Sequence, residues 1–329
     1  LFNFFKSNNP GVVVFYIIYI ALFRLCLWWV PIDTAFAFTN HEPLSALLFG
    51  WLHSLPINYI VGGGVLSGIL CFLQALIING IINENKMTAK KNYLGGLIFI
   101  IFASFFKQSL ILSPVSIALT LILLAVSKMF ELVRREKPYT QIYDIGFLIA
   151  AASLFYFPSV LFIVVAYIGL SSLRAFSGRE WMATFLGFAT PCFLAFTFYY
   201  YTDQRPQDFL PHLKISQLQF NRFDWAQMGA LLLCAVASFL LLPGFLYSSL
   251  IQVRKFTTIL VISFAVSLIA FFLQQQPNLA HWVLLSLPIA IIMAMVLFQI
   301  KSKVVSEVIH LMLLLLVLTG QYLPLLNLI

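Results

Sequence analysis

The chain of 329 residues is 62% hydrophobic and 9% charged, with a mean hydropathy of +0.99, which leaves too little polar surface to cover a soluble globule of this size. No polar stretch exceeds about 25 residues, well short of the roughly 50 that an independent soluble domain needs, so the composition predicts one integral membrane domain over 1–329 with the lipid bilayer as its partner. The formal charge of +8 is explained by loop placement and gives no reason to expect nucleic acid.

The first apolar run contains "FRLCLWWVPIDTAFAFTNHEP". It passes into Trp28, Trp29 and Pro31 rather than a small-residue cleavage site, which predicts an uncleaved span. Arg24 lies inside this run, roughly 9 Å below its outer end at ~1.5 Å per residue. A buried arginine is costly unless it snorkels, pairs or faces water. An inward-facing Arg24 is expected to bind an anion, either a carboxylate such as Asp33 or Glu42 or a lipid phosphate. A lipid-facing Arg24 would have only the Trp28 ring.

The loop that follows carries Asp33, His41, Glu42 and His53 around "LSALLFGWLHSL", whose Leu, Phe and Trp spacing suits a short helix in the interface. Next comes a span opening on "VGGGVLSG". Gly64 and Gly68 form a small-xxx-small pair that allows a neighbouring helix close approach, and a phosphate-cradling loop would require a strand–turn–helix context.

Hydropathy predicts eleven spans in all, at 12–30, 57–82, 94–106, 111–130, 142–157, 159–173, 181–201, 225–246, 256–273, 279–300 and 304–323. Segments 94–106, 142–157 and 159–173 reach only roughly 20–24 Å, short of the ~30 Å hydrocarbon core. They are expected to be broken helices, or a re-entrant pair that would reduce the count to nine. "GLIFIIFASFFKQSLILSPVSIALTLILLAVSKMF" and "GFLIAAASLFYFPSVLFIVVAYIGLSSLRAF" share a pattern of glycine, serine, aromatics and a proline turn, and suggest a duplicated hairpin turning at Pro114 and Pro158.

Alternating spans place Lys6, Lys86, Lys90, Lys91, Lys128, Arg134, Arg135, Lys137, Arg174, Arg179, Arg254, Lys255, Lys301 and Lys303 on one side, fourteen of the nineteen Lys and Arg. The positive-inside rule makes that side cytoplasmic, with the N-terminus in and the C-terminus out. Asp144 and Glu180 read as acids near helix starts, where the dipole favours them, or as ion-pair partners across the bundle. The four cysteines fall in apolar spans and read as small buried hydrophobes.

No H-E-x-x-H, nucleophile elbow, phosphate-binding loop or paired C-x-x-C occurs, and the five histidines are scattered, so neither a metal site nor a cofactor is expected. The candidate chemistry lies in the outer loops. Asp33 and Glu42 are the candidate catalytic carboxylates, able to act as general base. Arg24, His41, Arg205, Lys214 and Arg222 are the candidate substrate-binding residues, the basic ones suited to a phosphate headgroup. Solvation alone also explains charges in loops of this kind.

The run "DIGFLIAAASLFYFPSVLFIVVAYIGLSSLRAFSGREWMATFLGFATPCFLAFTFYY", with "NENK" near Asn83, resembles an uncharacterised family of polytopic inner-membrane proteins of Bacteroidota. The resemblance implies a bacterial cytoplasmic membrane and assigns no chemistry. The architecture, a first helix starting inside, an outer loop with acids and an interfacial helix, then many spans, is similar to the membrane-embedded GT-C glycosyltransferases. That likeness implies a polyprenyl-phosphate-linked sugar as substrate, with Asp33 or Glu42 as the first-loop acid, although no large outer domain follows. Two alternatives stay open: a non-catalytic subunit packed against partner membrane proteins, and a small-solute transporter, the latter disfavoured by the scarcity of charges within spans.

Overall fold

A computed structural model describes residues 2–29, 42–54, 59–136, 138–202, 221–247, 249–273 and 278–322. Twelve helices account for most of these residues, and no strand occurs among them: α1 Pro10–Trp28, α2 Pro43–Ser54, α3 Tyr59–Glu84, α4 Leu94–Ala103, α5 Pro114–Arg134, α6 Tyr139–Phe155, α7 Phe157–Leu173, α8 Gly178–Tyr201, α9 Arg222–Tyr247, α10 Ile251–Phe272, α11 Leu279–Phe298 and α12 Lys303–Tyr322. Among the described residues eight of these, α1, α3, α5 and α8 to α12, are long and apolar enough to cross a membrane. The protein is an all-α, multi-pass membrane protein. The three short apolar helices, α4, α6 and α7, are the same three segments whose length falls short in the sequence.

Local chemistry sets the boundaries. Ser113 caps α5 in a reciprocal capping box with Ser116, and Pro114 occupies the first helical position, where its missing N–H costs nothing. At the end of α3, Met87 N–H donates to Ile82 O at 3.0 Å and Lys86 adopts φ 51°, a Schellman-type closure with lysine in the left-handed position that glycine usually fills.

Helix α11 runs through the middle of the bundle, with every residue from Val283 to Leu297 buried. It packs on α4, whose ten residues are also all buried. At ~1.5 Å per residue α4 is only about 15 Å long. Enclosure by protein on all sides is the condition under which a helix too short for the bilayer can end at membrane depth. Helices α6 and α8 approach most closely, because Gly146 faces Thr184 O and Gly187 faces Tyr143 O, where a Cβ would sit 2.1 and 2.0 Å from those carbonyl oxygens.

The bundle has two distinct ends. At the basic end, Lys6 Nζ donates to Ile300 O, Tyr93 N–H to Phe5 O, Arg134 to Asn85 Oδ1, and Arg174 to Leu132 O and Arg135 O, joining the connections that the sequence places inside. At the far end, the α4–α5 and α6–α7 connections both pack on the start of α11: Phe106 and Tyr156 meet the neighbouring rings of Trp282 and His281. The two hairpins thus share an order of helix, 3-10 turn and helix, and both turn at the far end.

Asp144 differs from its expected place. Helix α6 begins at Tyr139 rather than at 142, so Asp144 sits in the second turn and pairs across the bundle with Lys128 at 2.8 Å. Glu180 does lie in the first turn of α8, and pairs with Arg174 at 3.1 Å. All four cysteines are free thiols within helices.

Candidate functional site

Arg24 faces the bundle. Its Nε donates to Gly64 O at 2.9 Å and its Nη2 to Ser67 Oγ at 3.1 Å. These partners are neutral oxygens on α3, and Asp33, one of the two carboxylates expected to meet Arg24, lies outside the described residues. The small-residue pair makes the contact feasible: a Cβ on Gly68 would sit 3.1 Å from Arg24 Nε, and one on Gly64 would meet Leu27 Cδ1 at 2.6 Å. The "GGGVLSG" stretch therefore serves close helix pairing. Trp28 points outward with 74% of its surface exposed.

Asp33, His41, Arg205 and Lys214 lie outside the described residues. Arg222 opens α9 with an exposed side chain, its backbone N–H donating to Asn221 Oδ1 at 2.8 Å. The described contacts do not join Arg24, Glu42 and Arg222 into one cluster.

Glu42 is placed by α2. Residues "LSALLFGWLHS" form that helix as the sequence predicts, and Phe49 buries against Leu112 at the far end. This seats Glu42 Oε1 3.4 Å from Phe157 N, at the break between α6 and α7. Pro158 creates the break by withholding an N–H from the turn. Next in the chain to Phe157, Tyr156 donates to Ala270 O at 3.2 Å and stacks on the His281 ring with centroids 4.9 Å apart. Sequence reasoning missed Tyr156 and His281, which approach across more than a hundred residues. Their only local signal is a polar aromatic at the start or end of an apolar run, in "FYFPS" and "NLAHW".

The polar atoms around this group are unusual. Ser45 Oγ, Ser159 Oγ, His281 Nδ1 and Trp282 Nε1 are all buried, and none has a hydrogen-bond partner among the described residues. Buried polar groups are otherwise almost always paired, each unpaired one costing ~1–3 kcal/mol. A carboxylate, an imidazole and two hydroxyls grouped beside a helix break can accept or deliver a proton and can bind a hydroxylated ligand. No group of three His, Cys, Asp or Glu side chains capable of holding a metal occurs among the described residues.

With this geometry in place, comparison with known families decides the relationship. The chain belongs to the family of unknown function DUF6427, which matches residues 44–326. No curated protein matches the chain, and neither does any solved structure. The match begins two residues after Glu42, so Arg24, Asp33, His41 and Glu42 precede the family segment, whereas Tyr156, His281, Arg205, Lys214 and Arg222 fall within it.

Proposed function

We propose that this DUF6427 protein handles a lipid-linked substrate of the polyprenyl-phosphate sugar class, or a related lipid, at the outer leaflet of a bacterial cytoplasmic membrane. The observation that carries the reading is the set of buried polar atoms beside Glu42 at the far end that have no partner among the described residues. A helix bundle that only packs against its neighbours gains nothing from such groups, whereas a site that receives hydroxyls and a phosphate uses them.

The orientation follows from charge. Lysines and arginines crowd the basic end, so the positive-inside rule directs the far end outward. In this reading Glu42, with Asp33, is the acid or base, and His41, Arg205, Lys214 and Arg222 bind the headgroup. Two of the three nitrogens of Arg24 are already engaged with α3, which makes it first a support for the helix leading into that loop. The buried, apolar α11 on the bundle axis argues against a solute path there.

The test compares a deletion strain, wild-type complementation and Glu42→Gln at matched protein level, with polyprenyl-phosphate-linked glycans and glycolipids quantified by mass spectrometry. The expected result is a changed pool in the deletion that Glu42→Gln fails to restore. Unchanged pools in the deletion would overturn the reading and leave the non-catalytic subunit. Reporter fusions after Asn92 and Lys255, expected inside, and after Asn278, expected outside, check the orientation independently.

A further inference from the structure

A second polar group lies at the far end, beside the α4–α5 turn whose Phe106 meets the Trp282 ring. Lys107, Gln108, Asn221, Phe223, Asp224, Gln227 and Gly320 line a cavity of about 230 Å³. It is built from the α4–α5 turn, the start of α9 and the end of α12.

We infer that this cavity is a phosphate subsite, in which the Lys107 ammonium and the Gln227 amide hold the phosphate of a headgroup. The inference takes its orientation from the outer-leaflet reading above. Lys107 follows the buried Phe105 and Phe106, is itself half-buried, and makes no hydrogen bond or ion pair among the described residues. An ammonium held against apolar surface calls for an anion.

Gln227 supplies the independent observation. Only 9% exposed, it lines the cavity, and its Nε2 has no partner among the described residues. The absence of a side chain on Gly320 makes room for it, since a Cβ there would sit 2.3 Å from Gln227 Nε2. Asp224 is the one acid in the described lining, and its Oδ2 accepts from Asn221 N–H at 3.2 Å, occupied by the first turn of its own helix. The N-terminal end of α9, a 26-residue helix, adds a positive dipole end to the same cavity. The volume lies below the ~300 Å³ at which drug-sized pockets begin, so the cavity fits a headgroup fragment and leaves the lipid chain to the bilayer.

The experiment uses the full chain in phosphatidylcholine nanodiscs, with a polyprenyl phosphate added to the lipid or inorganic phosphate added to the buffer. Acylation of individual lysines is followed by mass spectrometry, and retained lipid is counted by native mass spectrometry. The polyprenyl phosphate should slow acylation of Lys107 about fivefold or more while leaving Lys301, at the basic end, unchanged, as expected for one charge-assisted contact. Lys107→Gln should lower lipid retention about tenfold and Lys107→Arg should keep most of it. Gly320→Ala, which displaces only the far end of the Gln227 side chain, should lower retention about threefold to tenfold without a change of charge and so covers the case of a Lys107 variant that fails to fold. Lys301→Gln should match wild type.

Protection by the lipid alone identifies a lipid headgroup, and equal protection by inorganic phosphate identifies free phosphate. Protection by neither, or full retention in both Lys107→Gln and Gly320→Ala, overturns the subsite. Because the readout is binding, a deletion strain with unchanged glycolipid pools would defeat the proposed function while leaving this result intact.

Discussion

The two ends of the bundle treat buried polarity in opposite ways. At the basic end, the α3–α4 connection is a closed network: Asn92 donates to Thr88 Oγ1 and Lys90 O and accepts from Leu94 N–H, while Asn83 accepts from Asn92 N–H and donates to Asn92 O. Asn85 donates to Ile81 O and accepts from Arg134. The exception there is His310, which shares a hydrogen bond with Tyr19 OH through Nε2 while Nδ1 stands 4.0 Å from a Glu307 oxygen, beyond hydrogen-bond range. At the far end Ser45, Ser104, Ser159, Gln227, His281, Trp282 and Gln321 each bury a polar atom that has no partner among the described residues. A saturated network fixes structure, whereas unsaturated groups are available to a ligand.

The sharpest way to break this comparison is at Asn92, whose side chain is 1% exposed. Asn92→Ala should destabilise the protein by about 3 kcal/mol, lowering the thermal midpoint in detergent by roughly 6–12 °C. A variant that melts like wild type would mean the basic-end network is ornamental.

Arg24 tests the boundary between the two regimes, since it lies just below the far end yet is engaged with α3. A double-mutant cycle between Arg24→Leu and Ser67→Ala, read by chemical unfolding, should give a coupling of about 1 kcal/mol. Arg24→Lys should recover only part of it, because an ammonium cannot reproduce the fork that spans Gly64 O and Ser67 Oγ. No coupling would separate Arg24 from α3 and return it to the loop as a ligand.

Lys86 stands at φ 51° in the closure of α3. Lys86→Gly should stabilise the protein by about 1 kcal/mol, since glycine occupies that region without a Cβ penalty.

The smallest expected effect belongs to the far end. Ser45→Ala and Ser159→Ala each remove a hydroxyl that is buried without a partner among the described residues, so each should leave unfolding within about 0.5 kcal/mol of wild type. The same variants should restore the lipid pools of the deletion strain less fully than wild type does. Destabilisation beyond about 1.5 kcal/mol in either would show that these atoms are structural.

Much of the fold is legible in the residues because membrane segments announce themselves by length and apolarity. The segments at 94–106, 142–157 and 159–173 even signal their shortness, and the structure returns them as α4, α6 and α7. The short helix in the first loop is likewise written in the spacing of Leu47, Leu48, Phe49, Trp51 and Leu52. Boundaries were less accessible: the start of α6 lies three residues earlier than the apolar run implies, and that shift takes Asp144 out of the first turn and leaves the other role open to it, an ion pair, which Lys128 completes. The candidate site was legible only at Glu42. Charge draws attention to a loop, but a tyrosine, a histidine and two serines in apolar runs look like ordinary bundle residues until their neighbours are known.

The sequence by itself determined the solvent, the helical class and the crowding of basic charge on alternate connections, because each depends on composition and period along the chain. Only the tertiary structure decided that Arg24 turns toward Gly64 and Ser67, that Glu42 meets the break at Phe157, and that Lys107 and Gln227 line one cavity. Those pairings join residues 40 to 120 positions apart on separate helices. Which face of an apolar helix turns inward is set by packing against its neighbours, and in helices as uniformly apolar as α4 and α11 no hydrophobic period exists to record it.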